Sequence, residues 1–166
     1  MSTIEPNFPR AGFRRRLGSY IYDALIALAV FMIVGYIGIG IMIYLDHLGL
    51  ISIVRNSFEI DWQKTPTFYN ALFHTWNIFW VSYFFIYFWS KKGQTIGMRA
   101  WRLKVQNLDG SLISAKTAVI RLLFTLLGLG NLLVIVDRKN KLALQDRISN
   151  SEVVVFSLEA NKANLE

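Results

Sequence analysis

"RRLGSYIYDALIALAV", Arg15–Val30, joins a basic segment to a run apolar enough for lipid. Asp23 lies inside that run, flanked by Ile21, Ala24, Leu25 and Ile26. A carboxylate at such depth is costly and needs a partner or a job. The run continues to about Leu45, so a first span covers residues 20–45. At ~1.5 Å per residue it crosses the ~30 Å hydrocarbon layer with length to spare. It is too long for the apolar region of a signal peptide, about 7–15 residues, and reads as an uncleaved anchor. Gly35, Gly38 and Gly40 in its outer half suit close helix packing.

Composition points the same way. Of 166 residues, 54% are hydrophobic and 17% charged, a lower charged share than the roughly one quarter of soluble domains. Mean hydropathy is +0.37 and the pI about 9.8. The net charge of +7 would suggest nucleic acid in a soluble protein. Here the basic residues border apolar runs, so anionic head groups explain them and nucleic acid is not expected. There is no cysteine, which excludes disulfides and thiolate chemistry.

The predicted fold is an α-helical polytopic membrane protein of one domain over residues 1–166. A second span, residues 68–89, is dense in Phe, Tyr and Trp, with Tyr69 and Trp89 placed for the two interfacial belts. A third apolar run, residues 118–136, is re-entrant or broken, because Gly128-Leu-Gly130-Asn131 interrupts it. Residues 46–67 form an outer loop and residues 90–117 a cytoplasmic one. In the latter, "WRLKVQNLDGSLIS", Trp101–Ser114, reads as a hairpin: a strand near Leu103–Asn107, a turn at Asp109–Gly110, a return at Leu112–Ile113. "GQTIG", Gly93–Gly97, serves tight backbone geometry and lacks the lysine and spacing of a phosphate loop. A strand at Ser151–Phe156 follows, and Ser157–Glu166 reads as a frayed tail.

Lys and Arg counts orient the chain. The N-terminal tail holds four arginines, the outer loop only Arg55 and Lys64, and the second loop six basic residues. The N-terminus and second loop are therefore cytoplasmic. Arg138, Lys139, Lys141 and Arg147 after the third run would fall outside if it crossed fully. A hairpin that enters and returns keeps them inside and lets Val153–Phe156 pair with Leu103–Gln106.

The residues that could carry chemistry are few. Arg16 and Asp23 share a helix face about 10 Å apart, too far to pair directly. Arg121, set in the third run, is the natural third charge, so Arg16 and Arg121 are expected to approach Asp23 with Asp146 balancing the second arginine. Asp137, Asp146 and Arg147 complete a charge cluster with Arg16, Asp23 and Arg121. A polar line on the second span, Asn70, His74 and Asn77, spaced four and three, is either interhelical hydrogen bonding or an entry path. Two histidines on separate segments, with no carboxylate at ligand spacing, make no metal site. No residue combination points to catalysis, and no cofactor is expected.

The chain resembles the RDD family of bacterial integral membrane proteins, named for an arginine and two aspartates. The resemblance spans about Phe13 to Phe156. Its carriers are "RRLGSYIYD", "KKGQTIGMRAWRLKVQNLDG", "AVIRLL" and "LALQDRISNSEVVV". The signature residues map onto Arg16, Asp23 and Asp146, with Arg121 a further match; Met98 and Ser151 depart from the usual lysine and threonine. The resemblance implies a multi-pass protein of the bacterial cytoplasmic membrane, and some relatives are described as cation/proton antiporters. Two functions follow: a small transporter of a cation or proton, working as a homo-oligomer because three short spans seldom enclose a path, or a membrane adaptor that binds a partner protein through its basic cytoplasmic face. The charge cluster is correspondingly either a staple between helix ends or an exchange site.

Overall fold

The computed structural model describes residues 8–56 and 59–164. The start of the polar tail, two residues of the outer loop and the last two residues lie outside the described residues. The chain divides into two compact units. Ala27–Tyr83 makes one; the residues up to Ile26 and from Phe84 onward make the other.

Two long helices supply most of the apolar surface. α1, Phe13–His47, has 35 residues, and α2, Thr67–Lys91, has 25. Among the described residues α1 is the one unbroken helix both long and apolar enough to cross a membrane. Only 17% of its most apolar 18-residue window is buried inside the protein. The core helix of a soluble domain would bury that window, so its exposed Leu25, Leu28, Ile33 and Tyr36 need an apolar solvent. α2 matches the expected second span in length but misses the same hydropathy mark. Of its twelve aromatic residues three are Trp and three Tyr, which carry polar tips on apolar rings.

In the Ala27–Tyr83 unit, Gly35 and Gly38 of α1 face Asn77, Phe73 and Trp76 of α2. The small residues thus seat α2 within the same chain. Trp76 also donates its indole Nε1–H to the Val34 carbonyl at 2.9 Å. Met42, Ile53 and Ile60 form a small buried cluster edged by Trp62 and Phe73, whose rings stack at 4.6 Å. Arg55 folds back to Asp46 at 3.2 Å.

The other unit holds a sheet. β1, Leu103–Asn107, pairs antiparallel with β2, Ser151–Val155, in the register Leu103↔Val155 and Asn107↔Ser151. Pro9–Ala11 lies along the far side of β2: Val155 N–H donates to the Pro9 carbonyl and Ala11 N–H to that of Val153, both at 2.8 Å. Leu103 and Val105 are buried with Met98, Trp89, Ile113 and Ala118; full burial of a Leu, Val, Ile or Met side chain contributes about 1.5–3 kcal/mol.

Two expectations change here and one holds. The turn at Asp109–Gly110 forms, with Gly110 N–H bonded to Asn107 O at 3.0 Å, but Leu112–Ile113 is not a return strand. That edge of β1 is taken by Gly93, whose carbonyl accepts from Val105 N–H at 2.7 Å, and Ile113 is buried in the core instead. The segment after β2 is not frayed. Ser157 caps a short helix, Leu158–Ala163, which is tied down by Asn161 on the Gln94 side chain (2.9 Å) and Asn164 on the Lys92 carbonyl (3.1 Å). The third apolar run is broken as expected: a helix at Ala115–Thr125, a 3-10 stretch at Leu126–Leu132 and one helical turn at Leu133–Val136. The two arms bend by 84°, and Gly128 takes φ +99° at the break, a conformation open to glycine.

The packing at Gly38 is testable. A Cβ there would lie 3.1 Å from the Trp76 ring, so Gly38→Leu should destabilise the chain by roughly 1–3 kcal/mol through overpacking. Gly40 has nothing within 4 Å of the same position, so Gly40→Leu should not lower the melting temperature in detergent. Equal melting of the two variants would show that Gly38 does not seat α2.

Candidate functional site

The broken third run and the sheet carry the polar residues of the sheet-bearing unit to one place. We number the helices after β1 as α4 (Ala115–Thr125), α5 (Leu133–Val136), α6 (Leu144–Ile148) and α7 (Leu158–Ala163), and the one before it as α3 (Ile96–Ala100).

Asp146, in the first turn of α6, is almost fully buried. Arg16 from the start of α1 meets its Oδ2 at 2.7 Å. Arg121 from α4 meets its Oδ1 at 2.8 Å. The same carboxylate accepts the Ala143 N–H at 2.9 Å, closing the N-terminus of its own helix. Burial alone would push the Asp146 carboxyl upward, but Arg121 and Arg16 beside it hold it below the ordinary carboxylate range. Other donors of the arginines are matched too, Arg121 Nε excepted. Arg16 reaches the carbonyls of Ala11 and Lys141 at 3.1 and 3.2 Å and Asn131 Oδ1 at 3.4 Å. Arg121 donates to Ser151 on β2 and lies over the Trp89 ring, 5.9 Å from its centre.

Asp23 is held otherwise. Its partners are the Thr95 hydroxyl at 2.6 Å, the Gly97 N–H at 2.8 Å and the Ser19 hydroxyl at 3.3 Å. None of the ion pairs among the described residues includes it. The expected approach of Arg16 and Arg121 to Asp23 is therefore replaced by their joint hold on Asp146. The reason is reach: α6 brings Asp146 between the two guanidinium groups, while "GQTIG" brings hydroxyl and amide donors to Asp23. Thr95 caps α3 by accepting the Met98 N–H at 3.2 Å. Gly97 is needed because a Cβ there would sit 2.6 Å from the Ser19 carbonyl and 2.7 Å from the Asp23 carboxyl.

A cavity of about 50 Å³ lies among Arg16, Ser19, Tyr20, Asp23, Arg121, Asn131 and Gln145. It admits a few water molecules and nothing as large as a sugar or an amino acid. Arg121 Nε, Asn131 Nδ2 and Gln145 Oε1 are buried beside it without a hydrogen-bond partner among the described residues.

The other expected residues fall elsewhere. Asp137 and Arg147 pair with each other at 2.6 Å near the surface. Asn70, His74 and Asn77 do not line a common path. Asn70 donates to the Trp62 carbonyl at 2.7 Å, Asn77 donates to Phe73 O of its own helix at 2.9 Å, and His74 is exposed. The adjacent groove of the Ala27–Tyr83 unit is walled by apolar side chains such as Leu45, Leu72 and Phe79. Among the described residues no group of three or more His, Cys, Asp or Glu is placed to hold a metal ion. Thr95, Gly97, Asn131 and Gln145 belong to the site without having been singled out for it; the signal available was their position inside "GQTIG", "GLGN" and "LALQDRISN".

The double hold on Asp146 predicts a rescue. Asp146→Asn strands two buried arginines and should cost about 3–5 kcal/mol; adding Arg121→Gln should recover part of it. Additive losses in thermal unfolding would contradict the pairing. Because Asp146 binds its proton less tightly folded than unfolded, its contribution is complete above the ordinary carboxylate pKa. It should vanish as pH falls through the lower folded value, so Asp146→Asn should flatten the acid limb of the stability profile.

Comparison with curated proteins and with solved structures finds no match. A family model described as the RDD family matches residues 10–150, a stretch that includes Arg16, Asp23, Arg121 and Asp146. The chain belongs to the RDD family.

Proposed function

We propose that this chain is a small multi-pass transporter of the cytoplasmic membrane that exchanges a proton for an inorganic cation at Asp23. One observation carries the reading: both buried arginines are committed to Asp146, so Asp23 is met by neutral donors alone. An arginine beside Asp23 would compete with any incoming cation. Hydroxyl and amide partners leave the carboxylate able to alternate between a proton and a cation, and the Ser19 and Thr95 hydroxyls can turn from donor to acceptor as the cargo changes. The small adjoining cavity suits water and ions rather than organic solutes.

The sheet supports a re-entrant third segment with the N-terminus on the same face, and the Lys and Arg counts favour the cytoplasm for that face. Pro9–Ala11 precedes α1, β1 follows α2, and β2 follows α5, yet all three lie side by side. A segment that leaves from β1 and arrives at β2 returns to the face it left. Its irregular middle is tolerated because Asn131 there is buried in protein. A homo-oligomer would supply the walls of a path that one chain is too small to enclose.

The experiment is ion and proton flux in proteoliposomes, with wild type beside Asp23→Asn. The variant should remain folded and lose coupled flux by roughly tenfold or more, a rise of about 1.4 kcal/mol or more in the transport barrier. An inactive wild type that instead co-purifies with one soluble protein would favour the adaptor. A reporter fused after Phe156 should report the cytoplasmic side, as should one after Lys92; a periplasmic signal would restore a full third crossing.

A further inference from the structure

We infer a second site, a pocket for the phosphate of an anionic phospholipid, on the side of the sheet-bearing unit where α2 ends. The inference needs the membrane placement of the proposed function but not transport. The pocket holds about 110 Å³ and is lined by Phe88, Lys92, Gln94, Thr95, Ile96, Arg99 and Asn164. Two cations line it and no carboxylate does. The Lys92 and Arg99 side chains are exposed and enter none of the ion pairs among the described residues. They differ in this from Arg10, Arg16, Arg55, Arg121 and Arg147, each of which has an acidic partner.

The pocket is built, not incidental. Asn164 forms one wall and is fixed by its side-chain amide on Lys92 O at 3.1 Å and on Gln94 Oε1 at 2.7 Å. Gln94 is buried and bonded in turn to Leu103 O at 2.7 Å. Asn161 of α7 reaches Arg99 O at 3.3 Å. The backbone that presents both cations is thus clamped from α7, while their charged ends are free for a ligand.

The remaining walls say which anion. Phe88 belongs to the last turns of α2, and Ile96 is 51% exposed. A free phosphate would gain nothing from these two side chains. A lipid would lay its glycerol and upper acyl carbons along them and place its phosphate between Lys92 and Arg99, a bidentate acceptor for the guanidinium. Each basic residue near an anionic membrane surface contributes roughly a fivefold gain in binding.

The test uses the full chain in neutral detergent, with retained lipid read by native mass spectrometry. Wild type should retain phosphatidylglycerol and melt higher with it, and should respond to neither phosphatidylcholine nor inorganic phosphate at equal concentration. Lys92→Gln with Arg99→Gln should weaken retention roughly tenfold or more, whereas Lys139→Gln with Lys141→Gln, which line a different pocket beside Glu152, should not. Should the first double variant fold poorly, Arg99→Gln alone gives the same reading at roughly fivefold. An equal response to phosphatidylcholine, an equal response to inorganic phosphate, or unchanged retention in the Lys92 and Arg99 variants would each overturn the site. A loss of retention with flux intact would leave the two sites separate, as inferred.

Discussion

Two guanidinium groups on one buried carboxylate organise the sheet-bearing unit. Asp146 could not be buried as an anion without them, and neither arginine could be buried without Asp146. The bond set is also geometric. Arg16 comes from the entry to α1, Arg121 from α4 and Asp146 from α6, so three segments far apart in the chain are brought to one point. Arg16 then uses its other donors on the Ala11 and Lys141 carbonyls. Those bonds hold the segment that lies along β2 and the turn before α6, where Lys141 adopts φ +54°.

That commitment has a chemical consequence one helical turn or two deeper. Asp23 and Asp146 are both buried acids, yet they stand in opposite environments. Asp146 is locked by fixed charge, which suits a structural role. Asp23 is held by groups that carry no charge, which suits a carboxylate whose partner changes. In the proposed function the staple and the exchange site, alternatives for one cluster when only spacing is considered, fall to different aspartates.

The break in the third run serves the cluster around Asp146. A continuous helix from Ala115 to Val136 would carry Asn131 several turns from α6. The 3-10 stretch and the 84° bend instead place the Asn131 side-chain Oδ1 where Arg16 and Gln145 both donate to it, at 3.4 and 3.0 Å. Seven residues of 3-10 geometry is long for that conformation, and it persists here with side-chain partners from α1 and α6.

What the sequence determined by itself is what depends on local order. The apolar length of residues 20–45, the aromatic second helix, the interruption at Gly128–Asn131 and the strand at Leu103–Asn107 follow from periodicity and from residues that favour or forbid a backbone state. The pairing of β1 with β2 was legible because charge counts placed both on one side. Partner choice was not. Arg16 lies seven residues from Asp23 and 130 from Asp146, and spacing favours the near acid; only the folded chain shows that α6 delivers the far one while Thr95 and Gly97 take the near one. The same limit hid the docking of α7, whose side-chain amides find carbonyls some sixty to seventy residues earlier. Hydrogen bonds and ion pairs are short-ranged, so they are decided by which segments meet, and that is a property of the tertiary structure.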